Sequence, residues 1–400
     1  MGVEYNDNIY LTNTNKESDL ITYISPGIRW EKLLKKTYLS FYYAPTWAIY
    51  YSHTDINTLR HDILTEVFHY FNPHVKLYVR NHYIKSEEPI EKIGETISQT
   101  VRTTRNTYER DRLRINLEWK YSKLNLAKIG YLYRFLENKD PAYEDSKEST
   151  IYLNLSHWFT IRHGINVDFK YTKNRVSEKI GEPYIPDFDG YDFDISYNCN
   201  INKRTRIGFG YYITKKGFLE KAIADRYVKM HFITISHKIS PFTRIYLGLF
   251  KFRPYGIRGI DKDFTGYELK LEKRLRPIKR KNIFLQKNIS FYLKKSWDEN
   301  YLEARRRGFT RYTEVGFYFM KQLNPTTIFE HNFSYRKNYY FLFPKKDKTY
   351  SFSTRLKKNI KPNLAIELTY KHKERTSPIS YDNYKCNSIT IFFRYFFKYK

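Results

Sequence analysis

Arg112-Leu113-Arg114-Ile115-Asn116-Leu117-Glu118-Trp119-Lys120-Tyr121 alternates without a break. Leu113, Ile115, Leu117, Trp119 and Tyr121 fall on one side of an extended chain; Arg112, Arg114, Asn116, Glu118 and Lys120 fall on the other. A period of two over this length specifies a β-strand with one apolar and one polar face. The pattern returns at 165–171, at 191–201 and at 364–371, where Leu364, Ile366, Leu368 and Tyr370 oppose Ala365, Glu367, Thr369 and Lys371. Helical i, i+3, i+4 spacing appears nowhere at comparable length. The chain is all-β.

Composition narrows the class. The 400 residues carry 71 Lys and Arg against 42 Asp and Glu, a formal charge of +29, yet 18% are aromatic, with 40 Tyr and 29 Phe. A disordered chain of such polarity would be poor in aromatics. A helical membrane protein needs about 20 consecutive apolar residues per span. The longest uncharged stretch, Thr37 to Thr54, contains Pro45 and several hydroxyls, so it reads as a strand and its turn. Two cysteines, Cys199 and Cys386, make neither a disulfide framework nor a Cys-rich metal site. By strand parity Cys199 points outward and Cys386 inward on distant strands, which argues against a bond between them. No signal peptide is visible after Met1, which fits a start placed behind a removed leader.

The alternating segments run to about twelve or fourteen residues, whereas soluble strands have about five or six. Short turns separate them at Leu33 to Lys36, Asn72-Pro73, Ser122-Lys123, Arg162-His163-Gly164, Asn202-Lys203, Ser240-Pro241, Pro277 to Lys281, Asn324-Pro325 and Lys361-Pro362. Longer polar segments lie between, for example at 85–107, 174–190 and 297–308. A spacing of about forty residues also suits a propeller blade, but a blade holds four short strands with Gly-rich punctuation. A single closed antiparallel transmembrane β-barrel over 1–400 needs long amphipathic strands, short periplasmic turns and long extracellular loops. Nine turns and ten loops predict twenty strands, with eighteen as the alternative. Closure lets so polar a chain span lipid, because every backbone group can pair with a neighbouring strand. The chain closes on Ile389, Ile391, Phe393, Tyr395, Phe397 and Tyr399, an aromatic outward stripe.

The opening Gly2-Val3-Glu4-Tyr5-Asn6-Asp7-Asn8-Ile9-Tyr10, with Ser18-Asp19-Leu20-Ile21-Thr22 and Ile24-Ser25-Pro26-Gly27, resembles the N-terminal signature of the β-barrel porin 2 family. The resemblance covers residues 2–27. It implies a bacterial (Gram-negative) outer-membrane barrel, associated with exopolysaccharide biosynthesis operons and serving polysaccharide export or secretion. It carries no catalytic residue across.

On the polar face the alternation places Lys76, Arg80, Arg112, Arg114, Lys120, Lys170, Arg206, Lys270, Lys294, Arg336, Arg355, Lys371 and Arg394. Glu118, Asp168, Asp192, Asp194, Glu268, Glu272, Glu330 and Glu367 share that face. Two readings stay open. Opposite charges on neighbouring strands can neutralise one another, or rings of Arg and Lys can make an anion conduit. An anionic polysaccharide would suit the second, with Tyr faces stacking on its sugars. Arg305-Arg306-Arg307, in a predicted external loop, would meet the phosphates of lipopolysaccharide. The cluster Lys273, Arg274, Arg276, Lys279, Arg280 and Lys281, at a predicted periplasmic turn, would meet anionic lipid or a periplasmic export partner.

No nucleic-acid-binding module, cofactor motif or metal-ligand spacing is visible, and no enzyme class is indicated. Gly208-Phe209-Gly210 lies within a strand and reads as a packing or bend site. A plugged docking barrel and an outer-membrane hydrolase are the competing functional readings. The parity is testable with single-cysteine variants. Spin labels at position 115 should report lipid and labels at position 114 water, and the reverse result would reject the register.

Overall fold

The computed structural model describes residues 1–88, 105–139, 145–177, 187–219, 225–256, 262–280, 283–300, 308–340, 346–377 and 383–395. One antiparallel sheet closes on itself. The first strand, Gly2–Asn6, pairs on one side with Asp19–Ile24 and on the other with Tyr384–Tyr395. The amino group of Met1 donates to Phe393 O at 3.2 Å, so the seam is hydrogen-bonded to its end.

Twenty-two strand segments make twenty staves. The hairpin after the first strand is interrupted on both arms, as Asp19–Ile24 with Ile28–Leu33, and Thr37–Tyr43 with Thr46–Tyr50. Pro26 and Pro45 sit in the two gaps, where they need not donate to a ladder. Ser25 and Thr46 bridge the break through their hydroxyls at 2.7 Å. From Thr58–Asn72 onward each strand pairs with its successor, and uninterrupted staves run from 12 to 18 residues. Short turns and long loops occupy opposite ends, so the ends of the chain share the short-turn side, as the alternation predicts.

The turn at Pro277 is corrected. The strand Phe264–Arg280 continues through this proline, and its register with Ile283–Asn300 shifts between Leu275 and Ile278. Pro has no N–H for the ladder, and a bulge is where a sheet tolerates it.

The outer face is apolar. Leu117, Ile129, Ile151, Ile233, Leu249, Leu368, Ile391 and Phe393 are all exposed. On Ile283–Asn300 the outward positions run Lys287, Ile289, Phe291, Leu293, Lys295. Eight steps of about 3.3 Å, tilted about 40°, cover about 20 Å of bilayer, close to the apolar height of outer-membrane barrels.

Glycines admit large rings on the lumen face. Gly130, Gly210, Gly266 and Gly316 stand in cross-strand register with Tyr152, Phe232, Phe250 and Tyr292. In each pair the ring lies where a Cβ on the glycine would stand. Gly210 therefore serves packing, as its place inside a strand suggests. Gly210→Ala should destabilise the barrel by about 1–3 kcal/mol. Phe232→Leu in the same chain should recover most of this in urea unfolding, and additive losses would show that the ring is not the cause.

Candidate functional site: the lumen wall and its tucked loop

Strand register puts the sequence-predicted cations on the inner face, with Lys120 as the exception. The strand ends at Trp119, and Lys120 is exposed in the short turn, its N–H donating to His74 O at 2.8 Å. Arg206, near the same mouth, stacks over Trp158 at 4.8 Å and donates to Asn200. Arg305, Arg306 and Arg307 lie outside the described residues, as do Lys281 and the side chains of Arg276, Lys279 and Arg280.

On the half of the wall built from the last staves, cations meet acids on adjacent strands. Arg355 reaches Glu330 and Glu367 at 3.4 Å each, and Arg394 reaches the same Glu367 at 3.4 Å. Arg336 lies 3.7 Å from Glu314 and Lys294 3.9 Å from Glu268 across strands, while Lys270 pairs with Glu272 of its own strand at 2.6 Å. Lys371 stands in register between Ser353 and Ser388. Most cations of this half thus have a carboxylate in the wall itself.

The wall over residues 108–219 differs. Arg80 stands directly opposite Arg114, and Arg112 directly opposite Arg134. Like charges in direct cross-strand register repel unless an anion lies between them. Arg80 has Glu66 at 3.5 Å and Arg134 has the buried Glu148 at 3.3 Å. Among the described residues no carboxylate lies within ion-pair distance of Arg114. A cavity of about 600 Å³ opens in this wall, lined by Arg114, Lys128, Arg134, Lys170 and Lys216 against Glu148 and Asp192. Its aromatic lining is Tyr152, Phe188, Tyr191 and Tyr212, with Trp297 from the strand Ile283–Asn300. Lys128 lies 5.6 Å from the Tyr152 ring and Lys216 5.5 Å from the Phe188 ring. Lys76, at the edge of this region, pairs with Glu118 at 3.8 Å.

A second element is absent from the sequence reading. Residues 7–18 do not stand clear of the barrel as an external loop. Ile9 is fully buried against the inward-facing Ile21, Tyr23, Ala48 and Tyr50. Asn8 ties the segment down, donating to Thr12 O at 2.7 Å and to Lys385 O at 2.9 Å. Arg105, returning from the longest loop, donates to Ile9 O at 2.7 Å and to Tyr50 Oη at 2.6 Å. Tyr50 donates to Glu87 at 2.7 Å, and Glu87 takes the Arg60 guanidinium at 2.5 Å. Arg60 also reaches Glu88 at 2.8 Å and holds that carboxyl below the usual range, with Arg105 and Lys371 adding to the effect. One signal was present in the sequence. Leu20-Ile21-Thr22-Tyr23-Ile24 is apolar on both faces, which a strand with a wet lumen face would not be.

His53 joins this segment to the next loop, with Nδ1 2.8 Å from Asp19 and Nε2 2.5 Å from Glu17. The hydrogen bond to Asp19, reinforced by Glu17, raises its pKa. A raised folded-state pKa means the clamp is fully present below about pH 6.5 and is lost as pH rises through the folded value. Amide exchange in residues 7–18 and 51–57, corrected for intrinsic rates, should therefore be faster at pH 8.5 than at pH 6. His53→Gln should abolish the difference; a pH-independent wild type would sink the clamp.

No family profile and no curated protein matches the chain. The resemblance to the β-barrel porin 2 family rests on residues 2–27 alone. Solved structures do match in fold. The siderophore receptor PirA from Pseudomonas aeruginosa superposes with a TM-score of 0.54 at 8% identity, over 99% of this chain and 79% of its own. The ferric-catecholate import receptor Fiu from E. coli K12 gives 0.55 at 8% identity, covering 99% and 81%. PirA from Acinetobacter baumannii gives 0.55 at 8%, covering 99% and 80%. The chain shares their fold: a closed antiparallel barrel of the bacterial outer membrane.

Proposed function

We propose that the protein is an outer-membrane channel for anionic solutes, and that the cavity in the 108–219 wall is where they pause. The observation that carries this is Arg114, which stands directly opposite Arg80, lines the cavity with Lys128, Lys170 and Lys216, and has no carboxylate within ion-pair distance among the described residues. An anion beside it would relieve the repulsion from Arg80.

The ligand class is an anionic polysaccharide. Carboxylated sugars present charge for the guanidinium groups and flat apolar faces for Tyr152, Phe188 and Tyr212. The 2–27 resemblance points the same way. Arg105 and His53 hold the segment 7–18 on the long-loop side, where an entering polymer would meet it. An anionic iron–siderophore complex would satisfy the same cations, and the siderophore receptors of this fold make it the competing cargo.

Planar-bilayer recording separates these. An oligouronate should block current through the reconstituted protein, and an uncharged oligosaccharide of equal length should not. Arg114→Gln with Lys216→Gln should raise the half-blocking concentration about tenfold, the value of one charge-assisted contact of about 1.4 kcal/mol. Equal block by the uncharged sugar, or a cation-selective pore, would overturn the reading. Block by a ferric catecholate with none by the oligouronate would transfer it to siderophore passage.

A further inference from the structure

The lumen does not hold all of the basic excess. A second concentration lies on the outside of the barrel, at the long-loop edge of the apolar belt. Lys229 is in register with Arg253, and Lys337 with Lys348. Lys295, opposite Thr313, joins the level of Lys337, and Lys346 sits one pleat above it, opposite Tyr339. Each occupies the outward parity of its strand. On the same strands Val228 and Asp347, one residue away, are fully buried on the inner side. Outward Leu293 and Val315 lie one pleat below Lys295 and Thr313, Phe352 lies below Lys348 beyond Tyr350, and Ile233 and Leu249 lie below Lys229 and Arg253 beyond the His231–Lys251 pair, so the apolar belt begins beneath this band.

Aromatic rings support the cations. Tyr227 and Tyr255 stack at 4.3 Å, with Lys229 5.5 Å from the Tyr255 ring and Arg253 5.2 Å from it. Lys337 and Lys346 lie 5.1 and 5.8 Å from Tyr339. Neighbouring acids are already engaged. Asp263 pairs with Lys251 at 2.6 Å and also feels Arg253, and Asp225 pairs with Lys215 at 3.4 Å. Glu374 pairs with His372 at 3.7 Å and stands in register with Lys385. Among the described residues, Lys229, Lys295, Lys337, Lys346 and Lys348 have no carboxylate within ion-pair distance.

Lys337 and Lys348, held in register with Lys295 at the same level and Lys346 beside them, are like charges at a hydrocarbon boundary that need counter-anions, and water is only partly available there. Here the cations are doubled across strands and interleaved with tyrosine, which matches a ligand bearing both phosphates and sugar rings. We propose that Lys229, Arg253, Lys295, Lys337, Lys346 and Lys348 form a docking surface for the phosphorylated glycolipid headgroup of the outer leaflet. The phosphates sit between the paired cations, and the sugars lie on Tyr255 and Tyr339. This surface is independent of the lumen and of what passes through it.

Native mass spectrometry of the full chain in detergent tests this, using bisphosphorylated lipid A, the same lipid stripped of phosphate, and phosphatidylglycerol. The bisphosphorylated form should bind at least tenfold more tightly than either of the others. Lys229→Gln, Lys337→Gln and Lys348→Gln together should lower that affinity about tenfold, and the three Lys→Arg changes should keep it. Gln at Lys273, Lys321 and Lys358, outward lysines at the short-turn end, should leave it unchanged. Equal affinity for stripped lipid A or for phosphatidylglycerol would overturn the assignment with no variant needed. So would equal losses from the two sets of glutamines.

Discussion

No backbone N–H or C=O can be left unpaired in hydrocarbon, and the rest of this structure depends on that constraint. An open sheet fails it at two edges. The five residues Gly2–Asn6 remove both edges by pairing with Asp19–Ile24 and Tyr384–Tyr395. Once the ring is closed, lipid dictates only alternate side chains. A chain with a mean hydropathy of −0.69 can then cross a membrane, because its polar half faces inward.

Closure also sets what the inner face must solve. Twenty staves enclose more space than their side chains fill, so inward charges meet one another or solvent. Two solutions coexist in one lumen. On the last staves a single buried Glu367 serves both Arg355 and Arg394, and the wall is neutralised by its own neighbours. Across 108–219 the register opposes arginine to arginine, with Glu66 beside Arg80 and Glu148 beside Arg134. The tucked segment is a third device. A fully buried Ile9 and a chain of contacts through Arg105, Tyr50, Glu87 and Arg60 turn an external loop into part of the inner wall. Arg60 holds Glu87 and Glu88 together, with Arg105 3.9 Å from Glu87, so the network has two cations for two carboxylates.

The sequence by itself determined the strands, their faces and their number. Each follows from a local rule: period two along Arg112 to Tyr121 fixes which side meets lipid, and turn residues fix where a stave ends. One local rule misled. Pro277 looks like a turn but sits in a bulge, because two long partners carry the ladder past one missing donor. What only the tertiary structure decided is which residues face each other across strands. Alternation assigns Arg112, Arg114 and Arg355 to the same inner face but is blind to register. Register alone makes Arg355 the partner of two glutamates and gives Arg112 another arginine. The inward core of Ile9, Ile21 and Tyr50 was equally out of reach, since it forms between segments far apart along the chain. Periodicity is a property of one strand; charge balance in a barrel is a property of pairs.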